Sequence, residues 1–271
     1  MITNQRDLRR AFWEQHPGLD RRRITDYSGN GKHQVRSSDD TRRPLLKTTA
    51  GPNSKPTLRF DGSNDNMNCN GTTIVIPTNW SLYVVAKAAA SATQQGPIAS
   101  DAFDQATQIF QMAFLTTATA RITVYGGAGT GSKAMDATGA FHLYEAIRDT
   151  NSIKLYVDKV LEESNATVGT NASGTQGVTL GCNGNIISMT NTFNGDVCFA
   201  GLYTGALSDA DRLAIQNFVA EEYALFAVEG GGGGAAKGGG AKGSGGRKGG
   251  GGNKLEVSTG GAESHLIIGE L

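Results

Sequence analysis

Short apolar runs with alternating or β-branched residues recur along most of the chain, and polar turn residues separate them. Eight such runs predict β-strands, at residues 57–60, 81–86, 108–114, 121–125, 141–148, 153–157, 178–181 and 196–203. The connections are rich in Gly, Asn, Asp, Ser and Thr, as in residues 61–65 and 183–185. Many short strands with little helix predict an all-β protein, an antiparallel β-sandwich or a barrel.

One segment near the end of this region has helical periodicity instead. Ser208 precedes an apolar stripe that includes Ile215 and Phe218, and Asp211 lies three residues after it. This spacing predicts a capped helix from Ser208 to about Phe226, with Asp replacing the usual Glu of a capping box. A second helix is predicted near the N-terminus, where Leu8 and Phe12 share a face and Pro17-Gly18 ends it.

These patterns divide the chain into four segments. Residues 1–24 form a basic helical arm that includes Arg21, Arg22 and Arg23, which we interpret as anchoring residues. Residues 25–228 form the β-rich body, and residues 229–254 form a tether with fifteen glycines and five Lys or Arg between Gly230 and Lys254. Such a segment buries too little apolar surface to fold. Residues 255–271 regain apolar character and are expected to add a strand to a partner or to the parent domain.

Charge and hydropathy exclude some classes of protein. The net formal charge is zero and its segmental asymmetry is weak, which argues against specific nucleic-acid binding. No apolar run approaches the ~18 residues that span a bilayer, so membrane insertion is not expected. No secretory signal is visible at the N-terminus. We therefore expect a protein that stays in the cytoplasm where it is made or leaves the cell by lysis.

Three cysteines, Cys69, Cys182 and Cys198, match neither zinc-site spacing nor a disulfide framework. Buried free thiols are the favoured interpretation because free Cys is among the most buried residue types. The alternative is a disulfide between Cys182 and Cys198 on neighbouring strands.

Several ordered motifs resemble the laminin-G-like, or concanavalin-A-like, jelly-roll family. These motifs are D-Y-S-G-N-G at 26–31, R-P at 43–44, F-D-G-S-N-D at 60–65, W-S-L-Y-V-V-A-K at 80–87, L-Y-V-D at 155–158, F-N-G-D-V at 193–197 and L-S-D-A-D-R at 207–212. They cover about three quarters of the chain in the family's order. The family's usual first strand is absent, and residues 6–24 resemble the opening of small bacterial and phage proteins instead. The resemblance implies a jelly-roll sandwich closed by the C-terminal helix. Together with the N-terminal helix and the Gly-rich tail that the residue patterns predict, this gives an all-β antiparallel sandwich with one helix at each end of the body.

The resemblance also suggests two kinds of site. Relatives of this fold often hold calcium at a sandwich edge, where Asp61, Asn64 and Asp65 could supply oxygen ligands. The alternative is that these side chains only stabilise their own turn, and no cofactor is required. A lectin stacks exposed aromatic rings on sugars, for which Phe103, Tyr125 and Tyr144 are the candidates.

Catalytic patterns are weak. Gly126-Gly127-Ala128-Gly129-Thr130-Gly131-Ser132-Lys133 resembles a phosphate-binding loop only superficially, because Lys follows Ser and no helix pattern follows, so a flexible connection between strands is favoured. A retaining glycosidase needs two carboxylates about 5 Å apart on one strand face, and Glu162 and Glu163 are adjacent instead. Neither pattern supports an enzyme.

The resulting hypothesis is a non-enzymatic virion protein of a tailed phage, a structural, decoration or adhesin component located in the particle. Its partners would be other virion proteins, host-surface glycans and further copies of itself in a homo-oligomer. The alternatives are a bacterial carbohydrate-binding or adhesion module and, less favoured, a glycoside hydrolase.

Overall fold

The computed structural model describes residues 23–24, 34–36, 42–68, 73–89, 95–101, 109–116, 119–124, 129–134, 139–165, 173–182, 191–226 and 263–268. The predicted N-terminal helix, Arg21, Arg22 and the glycine-rich tether lie outside these residues. Within them, no helix has both the length and the apolar character needed to cross a bilayer.

The described strands form two antiparallel sheets and are numbered in chain order. Sheet A contains β1 Arg23–Ile24, β2 Gln34–Arg36, β5 Met67–Asn68, β6 Ile74–Ile76, β8 Gln95–Asp101, β9 Phe110–Thr116, β10 Thr119–Val124, β11 Gly129–Ala134 and β15 Gly174–Leu180. Sheet B contains β3 Leu45–Lys47, β4 Thr57–Asp61, β7 Trp80–Ala88, β12 His142–Asp149, β13 Ser152–Val157, β14 Val160–Asn165, β16 Asn194–Thr204 and β17 Glu263–Ile268. The order in sheet B is β14-β13-β12-β7-β16-β4-β3, with β17 beside β16. This is the predicted sandwich, and all eight predicted strands are present.

The main core lies between the two sheets and follows from the alternation along each strand. Leu82, Val84 and Ala86 of β7 face Phe110 and Met112 of β9, and all of them are buried. Aromatic rings interlock across the gap, with centroids 5.3 Å apart for Trp80–Phe110 and 5.0 Å apart for Phe114–Tyr144. The residues between them in sequence point to the outer faces.

Besides a 3-10 turn at Pro52–Ser54, the described residues contain one α-helix, α1 Asp209–Tyr223, which covers the outer face of sheet B. Ser208 is its N-cap, accepting a hydrogen bond from the Asp211 backbone N–H at 3.2 Å, as the capping pattern predicts. Its buried side packs on Tyr83, Val85, Leu143 and Phe199 of the sheet. The helix ends earlier than the predicted Phe226, because Ala224 adopts a left-handed conformation with φ 51° and closes the last turn onto Ala220.

The C-terminal segment returns to its own domain. Strand β16 pairs along its length with β7 on one side, and on the other side it pairs first with β4 and then with β17. Residues 263–268 therefore occupy the place beside residues 200–204 that β4 leaves empty. Of the two predicted uses of this segment, the structure shows strand addition to the parent domain.

Two further sequence expectations have a clear outcome. Cys182 and Cys198 are buried free thiols, Cys182 just after β15 in sheet A and Cys198 under α1 in sheet B, while Cys69 lies outside the described residues. The phosphate-loop-like segment is not a flexible connection throughout, because its second half forms β11, paired with β10.

A polar rim as the candidate functional site

One end of the sandwich carries a cluster of polar turns that we call the polar rim: residues 61–65, Gln95 and residues 191–194. The first turn follows β4. The Asp61 carboxylate accepts hydrogen bonds from the backbone N–H of Ser63 at 2.8 Å and of Asn64 at 3.3 Å. Gly62 adopts φ +78°, and a Cβ there would lie 2.7 Å from the Cβ of Asn194. Asp61 and Gly62 are therefore required by the turn itself.

The other rim segments are joined to this turn by hydrogen bonds. The Thr192 hydroxyl donates to the carbonyl of Gly62. The Gln95 side chain spans two segments, because its Nε2 donates to the carbonyl of Ala89 at 3.1 Å and its Oε1 accepts from the Asn194 backbone N–H at 2.8 Å. Three stretches that are distant in sequence are thus held together at the strand ends, which fixes the positions of their polar groups.

The rim contains a pair of neighbouring acids. Asp65 accepts from the Asp61 backbone N–H at 2.9 Å and is almost fully buried, with 6% of its surface exposed. Burial, with a smaller contribution from the nearby Asp61 carboxylate, raises the pKa of the Asp65 carboxyl to about 6, and the hydrogen bond from the Asp61 backbone opposes the rise.

Calcium is the metal that the family resemblance suggests for these residues. Among the described residues, no three His, Cys, Asp or Glu side chains are grouped as metal ligands. Calcium takes about six to eight oxygen ligands, whereas Asp61 and Asp65 already use carboxylate oxygens to hold their own turn. The turn thus explains these side chains without a metal. Calcium binding stays a prediction.

A hydrogen-bonded His–Asp pair lies at the same end of sheet B. His142 Nδ1 is 2.6 Å from Asp158 Oδ2, and the other carboxylate oxygen accepts from the Leu143 backbone N–H at 2.9 Å. Asp158 belongs to the tight turn between β13 and β14, where its φ is 48°. Both side chains are partly exposed, so an imidazole and a carboxyl group as well as amides are accessible to a ligand at this end.

Of the three aromatic residues predicted to stack on a sugar, the structure describes only Tyr144, and it does not support that role. Tyr144 is fully buried between the sheets, against Phe114, so it is a core residue and cannot stack on a sugar from solution. The alternation along β12 puts Tyr144 on the inner face, and sequence alone does not tell the two faces apart. Phe103 and Tyr125 lie outside the described residues. Of the three predicted anchoring arginines, only the backbone of Arg23 is described, in β1.

A second cluster that the sequence did not reveal lies beneath α1. Glu145 is fully buried on the outer face of sheet B and accepts from Gln216 Nε2 at 2.7 Å. Burial raises the pKa of its carboxyl to about 7, and the Gln216 hydrogen bond and the Arg212 charge oppose the rise. The Arg212 guanidinium lies 4.2 Å from the centroid of the Tyr156 ring. Because the helix covers this cluster, we regard it as structural.

Sequence reasoning also missed Gln95, Asn191 and Thr192 in the rim. The sequence did contain a pattern that indicates a polar turn here, because Asn, Thr and Gly are dense around residue 193, where the F-N-G-D-V motif begins. What joins these residues to the turn at 61–65 is the antiparallel pairing of Asn194 with Asp61, a contact between segments more than a hundred residues apart.

Comparison with known proteins gives the fold but no family. No family model matches the chain, and no curated protein matches it. Solved structures do match, at low sequence identity. An HCR/D variant is 13% identical with a TM-score of 0.51, and the match covers 75% of this chain and 51% of that one. Botulinum neurotoxin type C, which interacts with two ganglioside molecules, is 8% identical with a TM-score of 0.50, covering 73% and 50%. This chain thus spans about half the length of these two.

A third match is the CBM40 of the Ruminococcus gnavus IT-sialidase bound to α2,3-sialyllactose. It is 13% identical with a TM-score of 0.46, and the match covers 64% of this chain and 97% of the CBM40 chain. The protein is an antiparallel β-sandwich of the jelly-roll type, as its own sheet topology and the first of these matches show. At these identities, the matches establish the fold alone.

Proposed function

We propose that the protein is a non-enzymatic, lectin-like binding module that takes a glycan at the polar rim. The observation that carries this proposal is the rim itself, where Asn64, Asn191 and Asn194 lie beside the Asp61–Asp65 acid pair on a hydrogen-bonded frame. Sugars are dense in hydroxyl groups, and fixed amide and carboxylate groups are their natural partners. A frame held at the strand ends loses little entropy when a ligand binds.

The fold is compatible with this role but does not specify it. Botulinum neurotoxin type C shares the sandwich and interacts with gangliosides, and ligand sites on β-sandwiches commonly lie in the loops at strand ends. The ligand class of this chain rests on the rim's own chemistry.

The proposal of a binding protein, not an enzyme, rests on how the rim acids are used. A glycosidase needs one carboxyl to donate a proton and a second to act as nucleophile or base. Here Asp61 is engaged by two backbone N–H groups and Asp65 by a third. One oxygen of each carboxyl is held by the turn, Asp61 Oδ1 and Asp65 Oδ2, and this fixed placement favours recognition over proton transfer.

The test is binding of the full chain to an array of immobilised sialylated, fucosylated and neutral glycans. Asn64→Ala removes a rim amide while leaving the backbone contacts of the turn, so we expect affinity for the selected glycan to fall about three- to tenfold. Asn151→Ala, in the exposed turn between β12 and β13 at the opposite end, is the matched control and should bind normally. No glycan bound, equal losses in both variants, or hydrolysis of the bound glycan would each refute the proposal.

The setting we propose is the virion of a tailed phage, with the glycan on the host surface and the basic arm or the tether as the anchor. This part rests on the sequence resemblance of residues 6–24 and on the composition of the two ends. Mass spectrometry of purified particles should detect the chain in stoichiometric amounts, and its absence there would favour a bacterial carbohydrate-binding or adhesion module.

A further inference from the structure

The last described strand, β17, is attached to its domain through one neighbouring strand. Among the described strands it pairs with β16 alone, where five of its residues have Cα partners between Ala200 and Thr204. Ala200 and Leu202 belong to the main core, so the backbone of this stretch of β16 needs a hydrogen-bonding partner on the side that β4 leaves empty. Strand β17 supplies that partner.

The connection from α1 to β17 is much longer than this position requires. The Tyr223 hydroxyl, in the last turn of α1, donates to the Cys198 carbonyl of β16 at 3.1 Å, and β17 begins opposite Thr204. Cys198 and Thr204 lie six residues apart on one strand, about 20 Å at ~3.3 Å per residue. About ten residues of extended chain would cover this span and the step from helix to sheet. Residues 227–262 supply thirty-six, seventeen of them glycine.

The surplus length is enough to carry β17 to a neighbouring molecule. A glycine-rich coil of thirty-six residues has an expected root-mean-square end-to-end distance of about 33 Å, and full extension spans about 120 Å. Connections longer than about 15 residues are uncommon within compact domains, where they usually serve a function or act as linkers. Because the ladder between β16 and β17 contains no residue of this connection, the same five pairs form whether β17 comes from its own chain or from another.

We propose that two copies of this chain exchange β17, each inserting its own strand beside β16 of the other. The exchange is reciprocal because each copy offers one strand and one receptive edge, and a closed pair leaves neither edge unfilled. Since the paired residues are the same in both forms, concentration decides between them. A flexible tether gives its own strand an effective concentration on the millimolar scale, so exchange becomes substantial where copies are held together at that density. The polar rim is not involved, because it lies at the Asn194 end of β16.

Disulfide trapping between two full-length variants tests the exchange. Thr204→Cys places a thiol on β16 and Glu263→Cys places one on β17, at residues that are Cα partners. Directly opposed residues of antiparallel strands have Cα atoms about 4.5–5.5 Å apart, a separation that permits a disulfide. Because the two thiols are on different chains, the register of the ladder brings them together only in the exchanged state. We expect the oxidised mixture to give a disulfide-linked dimer whose yield rises with concentration up to ~1 mM.

Two controls separate exchange from random collision. Thr204→Cys mixed with Ile268→Cys is the register control, because Ile268 pairs with Ala200, four residues from Thr204, and this mixture should give little dimer. The native cysteines are present in both mixtures. The double variant Thr204→Cys with Glu263→Cys in one chain, kept dilute, should form the disulfide within the chain, and thermal melting of every variant checks folding.

Shortening the connection tests the role of its length. Removing residues 231–250 leaves sixteen residues between α1 and β17, still enough to reach the chain's own edge. Effective concentration varies roughly as the −3/2 power of linker length, so the chain's own strand competes about threefold better and the yield of linked dimer should fall about threefold. A yield no higher than that of the register control, a yield unchanged by the shortening, or a double variant that forms no internal disulfide would overturn the proposal.

Discussion

Glu145 offers the sharpest test of how the helix is attached to sheet B. Its carboxyl is fully buried beneath α1 and accepts a side-chain hydrogen bond from Gln216 Nε2 at 2.7 Å. The groups that act on it are Arg212 and Gln216 from the helix, Asp158 and Lys159 from the turn after β13, and the Tyr83 hydroxyl from the neighbouring strand. Replacing Glu145 by Gln keeps the shape of the side chain and an oxygen that accepts from Gln216, but it removes the carboxyl group that titrates.

The magnitude follows from the raised pKa. Burial lifts the pKa of Glu145 from its ordinary 4.5 to about 7. Between these values the folded state holds a proton that the unfolded state has released, so stability falls as pH rises through this window. The pKa of Glu145 thus rises by about 2.5 units. At ~1.36 kcal/mol per unit, the free energy of unfolding is lower by about 3 kcal/mol above pH 7 than below pH 4.5.

Urea unfolding followed by fluorescence below pH 4.5 and above pH 7 measures this loss. We expect Glu145→Gln to match wild type at the lower pH and to exceed its free energy of unfolding by up to about 3 kcal/mol at the higher pH. Glu221→Gln removes an exposed carboxylate from the same helix and is the control, for which no such divergence is expected. A Glu145→Gln difference that does not vary with pH would refute the reasoning.

Four further predictions concern other parts of the molecule. Ser208→Ala removes the N-cap of α1 and should lower the free energy of unfolding by about 1 kcal/mol, measured by urea titration, with no change in glycan binding. Deleting residues 263–271 should speed amide hydrogen exchange at residues 200–204, which lose their β17 partner, while exchange at β12 changes little. Asp65→Asn should remove the fall in stability that we expect as pH rises toward about 6. If calcium binds at the rim, calorimetry should show heat for wild type and none for Asp65→Asn, and no heat for either would exclude the metal.

Local chemistry made part of this fold predictable from the sequence. The N-cap of α1 was predicted at the right residue, Ser208, because capping depends on groups only three positions apart. The strand predicted at residues 81–86 is present as Trp80–Ala88, because a run of β-branched and apolar residues is a local signal. The end of α1 was predicted too late in the chain. A Gly usually indicates where a helix ends, and here Ala224 adopts the left-handed conformation that Gly would normally take. Edge strands such as β3 and β14 were missed since their apolar residues do not alternate with polar ones.

The sites depend on contacts that are not local, and the sequence shows them less well. Asp61 and Asp65 were identified because they lie in one turn, whereas Gln95 enters the rim only through the pairing of β16 with β4 and β7. Tyr144 was assigned to a surface because alternation gives two faces without saying which one is covered. The burial of Glu145 requires knowing that α1 packs on the outer face of sheet B.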